Sequence, residues 1–362
     1  MATMEDIAIR AGVNRATVSN VLNGRFKARR ADAARRAANI RKIAEELGYR
    51  PNLAARATRT GSTGFVGMIR SPRMDHSVHI PEFESGVDEA LHAHGLCLVR
   101  DLIDENPTGS PTVPRIVREK AVDGLLVNYA YGTPASVRKV LDRCKIPAVW
   151  INRKRDENCV HPDDEGAARL ITEHLLSLGH TDIGFVLQST AEQSDRHRHG
   201  RHYSLIDRLA GYRSVLADAG LQPRVIDYPA IADLPDAQKP GHVLRSFIEL
   251  LGRPDRPTAF ICEGNGRDML HAAAIAGVSV PDDLSVITFD NNASADQRIA
   301  VDRVLVRYHA MGNAAVHELL ALIESDAHTD TDTNHKQPTD PRRPVVIPFE
   351  FHTTGTTARP RR

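Results

Sequence analysis

Apolar residues recur at helical spacing near the start of the chain. Thr3 is a typical helix N-cap, Gly12 permits a sharp turn, and Asn14 can cap a second helix. The apolar stripes of the two helices are Met4, Ile7, Ala8 and Ala11, followed by Val18, Val21 and Leu22. A small residue at Ala8, a glycine at Gly12 and an aliphatic residue at Val18 have the spacing of a helix-turn-helix. The pattern therefore predicts this motif, with an unrelated helical bundle as the alternative.

The second helix carries polar side chains on the face away from its apolar stripe. Arg15 suits guanine O6 and N7, and Asn20 suits adenine N6 and N7, in a major groove. Thr17 and Ser19 are expected to bond phosphates, which positions the motif without reading sequence. The candidate DNA contacts of this region are Thr3, Arg15, Ala16, Thr17, Ser19, Asn20 and Asn23.

A third helix is predicted by the stripe Ile40, Ile43, Ala44 and Leu47. Gly48 ends this helix, and Pro51 prevents its continuation. Arginines crowd its other side and its beginning. They are expected either to contact phosphates or to be solvated, and the sequence favours neither.

From Phe65 onward, short apolar runs alternate with helical stretches. The runs include FVGMI, LCLVRD, DGLLVNY and PAVWIN before Asp163, and DIGFVLQ, TAFICE and SVITFD after it. This alternation is typical of a parallel doubly wound sheet. The predicted fold class is an all-α helix-turn-helix headpiece followed by an α/β core of two such lobes. In open α/β folds small ligands bind where strands end, so a cleft between the lobes is expected.

Charge divides the chain in the same way. The 362 residues carry a net charge of +1, with 41 % hydrophobic residues. Residues 1–60 contain 13 Lys and Arg against 5 Asp and Glu, whereas the remainder contains 34 against 41. A basic head on an acidic body is expected when only the head binds a polyanion. The four cysteines are scattered, and the chain has neither an apolar run of about 18 residues nor a signal-peptide pattern, so we expect a cytoplasmic protein with reduced thiols.

Several motifs, taken in order, resemble the LacI/GalR family of transcriptional repressors. MEDIAIRAGVNRATVSNVLNG is similar to the family's headpiece, and ELGYRPNLAAR is similar to the entry to its hinge. VDGLLV, IPAVWINR, LLSLGHTDIGFV, VPDDLSVITFDN and MGNAAVHELL are similar to successive landmarks of its core. The resemblance covers nearly the whole chain. It implies a periplasmic-binding-protein-like effector domain and a homodimer on a pseudo-palindromic operator in double-stranded DNA.

The hinge departs from the family pattern. In the family, a short hinge helix forms when two subunits meet on DNA, and a leucine of each is wedged into the minor groove. The resemblance assigns the hinge DNA contacts to Asn52, Ala55 and Thr58, with Thr58 at the wedge position. A threonine offers less apolar surface to offset base unstacking. The stretch from Gly24 to Tyr49 is also longer than expected, by about one helical turn.

The resemblance also implies domain boundaries. We expect the headpiece at 1–50, the hinge helix and linker at 51–62, and the effector-binding and dimerisation domain at 63–362. Crossovers near Arg155 and between Ile287 and Val301 would divide the last of these. The expected N-lobe is 63–154 with 288–302, and the expected C-lobe is 158–287 with 303–356.

Polar residues beyond the predicted strands are candidates for an effector cleft. By position alone these include Ser71, Asn152, Glu263, Asn265 and Asp290. The resemblance supports Asn152 and Asp290, and adds Arg208, Tyr308 and the wall residues His79, Trp150 and His161. An arginine with carboxylates, amides and aromatic rings suits a sugar, because each sugar hydroxyl both donates and accepts.

Three segments differ from the family. The usual Asn-Asp pair after TAF is replaced by CEGNGRDM, so either Glu263 or Asn265 is expected to supply the acid. A long loop contains His197, His199 and His202, which could bind a metal, although irregular spacing favours a solvated loop. Residues 324–344 are predicted to be a disordered insertion.

The sequence bears on three classes of function. We expect a DNA-binding regulator, a repressor, whose effector is a sugar, with a nucleobase or nucleoside as the alternative. A solute-binding protein of a transporter would need an export signal and would lack the basic headpiece. An enzyme is disfavoured because the chain has no GxGxxG, GxxxxGK[ST] or GxSxG motif. No cofactor, metal or membrane partner is expected.

Overall fold

The computed structural model describes most of the chain. The described residues are 2–22, 26, 31–50, 61–71, 80–103, 113–129, 135–187, 202–227, 239–264, 266–290, 300–329 and 342–361. The chain forms two compact units, Met1–Thr63 and Gly64–Arg362.

The described part of the first unit contains three helices. They are α1 (Met4–Ala11), α2 (Arg15–Leu22) and α3 (Ala31–Glu46). Thr3 and Asp6 form a capping box at the start of α1, and Gly12 ends this helix with a φ of +63°. The shared core of the three helices includes Ile7, Val18, Val21, Ile40 and Ile43. The predicted helix-turn-helix and third helix are confirmed.

The described part of the second unit contains two six-stranded sheets. Ten strands come first along the chain: β1 (Phe65–Arg70), β2 (Cys97–Leu102), β3 (Gly124–Asn128), β4 (Ala148–Ile151), β5 (Cys159–Pro162), β6 (Ile183–Leu187), β7 (Arg224–Asp227), β8 (Ala259–Glu263), β9 (Ser285–Asp290) and β10 (Asp302–Leu305). The last two are β11 (Val345–Ile347) and β12 (Glu350–His352). The first sheet has the order β11-β5-β4-β3-β1-β2 and the second β12-β10-β9-β8-β6-β7. All pairs are parallel except β10 with β12.

Helices cover both faces of each sheet. They are α4 (Pro81–Ala93), α5 (Arg115–Arg118), α6 (Ala135–Cys144), α7 (Asp164–Ser177), α8 (Tyr203–Asp218), α9 (Lys239–Leu251), α10 (Gly266–Ala276) and α11 (Tyr308–Thr329). Buried side chains of α4 and α11 share one core with the first sheet, and those of α5 and α6 share a second. On the second sheet, α7 and α8 cover one face, and α9 and α10 cover the other. The predicted pair of doubly wound lobes is confirmed.

Within the described residues, the chain crosses between the sheets at three places. It leaves the first sheet after β5, returns between β10 and α11, and leaves it again between β11 and β12. These crossovers fall at residues 162–164, 305–308 and 347–350. At the third crossover, the N–H of Asp163 donates to the carbonyl of Ile347 at 2.9 Å, which ties the first and third crossovers together.

The expected lobe boundaries were wrong. Residues 288–290 end β9 and residue 302 begins β10, and both strands lie in the second sheet rather than in the N-lobe. Strand β5 lies in the first sheet, and α11 packs on the first sheet through Met311, Val316 and Leu319. Local apolar patterns reveal that a strand is buried, but they do not reveal which sheet it joins.

The predicted insertion at 324–344 also needs correction. Residues 324–329 continue α11, because adding residues to a formed helix costs little once it is nucleated. Residues 330–341 lie outside the described part. Among the described residues, no helix combines the length and apolar character needed to cross a membrane.

Candidate DNA-binding surface and effector site

The predicted base-reading residues lie on the free face of α2. Arg15, Ala16 and Asn20 are exposed, whereas Val18 and Val21 of the same helix are buried in the three-helix core. The side chains expected to enter a DNA groove are therefore not part of the three-helix core. Their contacts with DNA stay predictions.

Two hydroxyls expected at the DNA surface are engaged within the unit. The hydroxyl of Thr17 donates to Asn14 Oδ1 at 2.8 Å, and the Thr17 N–H donates to the same oxygen at 2.7 Å. The hydroxyl of Thr3 donates to Asp6 Oδ2 at 2.9 Å. Each hydroxyl hydrogen is thus used by a helix cap. Ser19 is half-buried on α2, and its phosphate contact stays a prediction.

Other candidates lie outside the described residues. They are Asn23, Asn52, Ala55 and Thr58 for DNA, His79 and Asn265 for the effector, and His197 and His199 of the histidine-rich loop. No group of His, Cys, Asp or Glu that could hold a metal ion occurs in the part of the chain that is described.

Arg208 of α8 occupies the centre of the candidate effector site. Its Nε donates to Asp164 Oδ1 at 2.7 Å, and its Nη1 lies 3.7 Å from Glu263 Oε1. The guanidinium stacks over the Phe289 ring, with its carbon 4.3 Å from the centroid, and lies 6.0 Å from the centroid of Phe349. Only 7 % of the Arg208 side chain is exposed. The structure therefore brings together two predicted residues, Arg208 and Glu263, at the carboxyl end of β8.

Asp164 was missed by the sequence reasoning. It is the first residue of α7, where acidic residues are common because they complement the helix dipole, so its sequence context suggested nothing more. Burial raises the pKa of its carboxyl, and Arg208 offsets this only in part. Asp164 lies 44 residues before Arg208 in the chain, so only the tertiary fold reveals the pair.

Asn152, following β4, contacts the beginning of α8. The hydroxyl of Tyr203 donates to Asn152 Oδ1 at 3.0 Å, and Nε2 of His202 lies 3.2 Å from the Asn152 carbonyl oxygen. The buried ring of His161 meets Tyr203 edge-on at 5.6 Å. Asn152 has a φ of +52°, an uncommon conformation outside glycine. His202, a metal candidate, instead caps α8 by accepting from the N–H of Ser204.

Asp290, ending β9, is held by two arginines. Its Oδ2 lies 3.3 Å from Nη2 of Arg267 and 3.5 Å from Nη1 of Arg303. Tyr308, the first residue of α11, is linked electrostatically to both clusters. Burial raises the pKa of the Tyr308 phenol, Arg208 offsets this in part, and Asp164 and Asp290 add to the increase. Tyr308 is therefore a neutral hydrogen-bonding group near Asp164 and the predicted acid Asp290.

Trp150 does not have the expected place in the cleft wall. Its ring is buried in the core beneath α5 and α6, and the Arg155 guanidinium covers it at 4.6 Å. Side chains alternate along β4, so Trp150 and Ile151 face opposite sides of the sheet. Ser71 is buried directly after β1, at the carboxyl edge of the first sheet, where it was expected.

Comparison with known proteins identifies the family. A model of the lacI family of bacterial regulatory proteins matches residues 3–52, and a periplasmic binding protein-like domain matches residues 172–346. The regulator GalR of Escherichia coli is 30 % identical over 361 residues, 96 % of each chain. The crystal structure of the lac repressor dimer bound to operator and the anti-inducer ONPF superimposes with a TM-score of 0.68 at 21 % identity, covering 99 % of both chains. The structure of the regulator CelR with cellobiose gives a TM-score of 0.59 at 21 % identity, covering 98 % of this chain and all of that one.

A helix-turn-helix unit followed by a two-lobed ligand-binding core defines the class of DNA-binding transcriptional regulators. The chain belongs to the lacI family of bacterial regulatory proteins. The resemblance noted from the sequence is confirmed.

Proposed function

We propose that this regulator is a repressor that reads a pseudo-palindromic operator as a homodimer and that a sugar bound beside Arg208 controls its operator affinity. DNA is read by Arg15, Ala16 and Asn20, and the hinge contacts come from residues 51–62. The headpiece comprises 1–50 and the effector domain 63–362, a division supported by the separation of Met1–Thr63 from Gly64–Arg362. The protein acts by binding rather than by catalysis, in the cytoplasm where its DNA is found.

One observation carries the effector proposal: Arg208 contacts or approaches all three crossovers. Asp164 stands at the end of the first crossover and is hydrogen bonded to Arg208. Tyr308 ends the second crossover, and the positive charge of Arg208 partly offsets the increase that burial causes in the pKa of its phenol. Phe349 lies within the third, with its ring 6.0 Å from the guanidinium. A ligand that changes the contacts of Arg208 therefore acts where the orientation of the two lobes is determined.

This position explains how an effector could control DNA binding. A change of lobe orientation alters the geometry of the segments that precede the core, and thus of the two headpieces in a dimer. A coupling of about 1 to 3 kcal/mol between effector and operator is enough for regulation.

The chemistry around Arg208 favours a sugar. Carboxylates accept from hydroxyls, guanidinium and amide groups donate to them, and the aromatic ring of Tyr308 offers an apolar face. A similarly folded regulator binds cellobiose, which supports the same class of ligand here.

The test is a thermal-shift screen of the full chain against neutral sugars and nucleosides. A ligand that binds the folded core raises its melting temperature in proportion to the logarithm of ligand concentration. We expect a sugar to give the largest shift. Stabilisation by a nucleoside, with no response to any sugar, would overturn the assignment of the ligand class.

A further inference from the structure

Among the described residues, one carboxylate oxygen of Asp164 has no hydrogen-bond partner. The exposed fraction of its side chain is 1 %, and its Oδ1 accepts from Arg208 Nε at 2.7 Å. Its Oδ2 is fully buried and has no hydrogen-bond partner among the described residues. A buried carboxylate oxygen without a donor is unfavourable, because it has lost its hydrogen bonds to water and no protein hydrogen bond replaces them. Such an orphaned acceptor indicates that a donor is supplied by something that binds there.

The groups around Asp164 come from both lobes. His161 belongs to β5 of the first sheet, Tyr203 begins α8 on the second sheet, and Tyr308 begins α11 on the first. Charge on Asp164 raises the pKa of both phenols in addition to the larger effect of their burial, so both rings are close to this carboxylate. Asp164 therefore lies where the two lobes meet and where a ligand between them would be enclosed.

The positive charge of Arg208 is already balanced by carboxylates of the protein. Its single charge faces two carboxylates, Asp164 at 2.7 Å and Glu263 at 3.7 Å. Its flat face is covered by Phe289 at 4.3 Å. A phosphate placed beside this arginine would meet both carboxylates in surroundings that screen charge poorly. The arrangement therefore disfavours anionic ligands, although an arginine in a ligand site often suggests them.

We propose that Asp164 is a specificity-determining residue of the effector site. Its Oδ2 accepts a hydroxyl or amino hydrogen of the bound effector, and Asp164 and Glu263 together exclude phosphorylated and carboxylated effectors. The effector is thus an unphosphorylated sugar or amino sugar. This inference rests on the proposed function, since it requires the effector to bind beside Arg208.

The experiment uses ligand pairs that differ only in a phosphate. D-galactose, D-glucose and D-glucosamine, each with its 6-phosphate, are titrated into the full-length protein, with binding measured by calorimetry. The wild type is expected to bind at least one unphosphorylated member more tightly than its phosphate, by about 10-fold or more. This comparison needs no variant. Tighter binding of any phosphate than of its parent sugar would overturn the proposal.

The Asp164→Asn variant tests the residue itself. Asparagine keeps the shape and an acceptor for Arg208 but can present an NH₂ group where the effector's donor would point. The affinity for the preferred sugar should fall by about 10- to 100-fold. The ratio of the affinities for the sugar and for its 6-phosphate should become smaller. Asp218→Asn, which removes a carboxylate from the exposed end of α8, is the matched control and should change neither quantity. A purely structural role of Asp164 would lower stability without narrowing the preference.

A second variant separates this inference from the proposed function. If Asp164→Asn has no effect on affinity or preference while Asp290→Ala abolishes sugar binding, the cleft binds the effector but Asp164 does not select it. If both variants bind as the wild type does, the effector site lies elsewhere and the proposed function fails as well.

Discussion

The hydroxyl of Tyr203 donates to Oδ1 of Asn152 at 3.0 Å, joining the start of α8 to the loop that follows β4. The Lys154–Asp207 ion pair, at 2.7 Å, links the same two segments. Strand β4 belongs to the first sheet and α8 packs on the second, so these contacts hold the lobes together along one side. Asn152, a predicted effector ligand, already uses its amide oxygen within the protein. An effector that binds this oxygen must share it with the Tyr203 hydroxyl or displace that hydroxyl.

The first prediction concerns this inter-lobe contact. Tyr203→Phe removes the hydroxyl and keeps the ring, so local opening of the contact should become easier by about 0.5 to 1.5 kcal/mol. Amide hydrogen exchange of residues 152–158 and of the first turn of α8 should be several-fold faster than in the wild type.

Tyr212→Phe is the control for this measurement. The Tyr212 hydroxyl donates to the carbonyl of Ile183 at 2.7 Å, within the second lobe alone. Its loss should accelerate exchange around β6 and leave residues 152–158 unchanged. The same exchange pattern in both variants would show that the Tyr203 contact does not hold the lobes together.

A second prediction concerns pH and the C-terminal segment. Burial tends to raise the pKa of Asp302, but hydrogen bonds from Thr357, Thr354 and Thr356 outweigh it and hold the pKa below its usual value. A lowered pKa means that the charged carboxylate stabilises the fold above the unfolded pKa of about 4, and that this stability is lost as pH falls through the lower folded value. Asp302→Asn should therefore cost about 2 to 3 kcal/mol at pH 7 and progressively less below pH 4.

Urea unfolding between pH 3 and pH 7 measures this difference. Asp283→Asn, which alters a more exposed carboxylate paired with Arg361, should change stability by less than about 0.5 kcal/mol. A cost of Asp302→Asn that is the same at every pH would argue against a stabilising role for the charge.

The third prediction separates base reading from phosphate binding. Arg15→Ala should abolish the preference for one base pair in each half-site, at a cost of about 1 to 3 kcal/mol. Arg36 is exposed on α3 and lies within the basic run. Arg36→Ala should weaken binding to all DNA sequences and reduce the slope of log K against log salt concentration by about one. Salt titrations on cognate and scrambled duplexes measure both. Equal loss on the two duplexes for Arg15→Ala would refute base reading by this residue.

The fourth prediction concerns Asp290. Asp290→Ala should remove the effector response and leave operator binding intact, because Asp290 belongs to the second unit and its arginine partners, Arg267 and Arg303, also lie there. Gel-shift titrations with and without sugar measure this, with Asp255→Ala as a control at an exposed acid of the same unit. A retained response would remove Asp290 from the site.

The sequence predicted those features that depend on neighbouring residues. Gly12 at a turn, the stripe through Val18 and Val21, and the alternation of strands and helices all follow from local periodicity. It did not predict which sheet β9, β10 and α11 join, because that depends on pairing between distant segments. Asp164 and Tyr203 were missed for the same reason, because each begins a helix, where its residue type is common. Asp164 contacts a partner 44 residues away in the chain, and Tyr203 contacts one 51 residues away, so only the tertiary fold shows their role.

The most direct test of the account is the affinity of the full-length protein for its operator with and without a sugar. The operator is first selected from random duplexes, and the sugar is the one that gives the largest thermal shift; fluorescence anisotropy then gives both dissociation constants. We predict an inverted-repeat site and an affinity that changes at least about 5-fold when the sugar is added. Selection of a site without two-fold symmetry, or an operator affinity that the bound sugar leaves unchanged, would contradict the account.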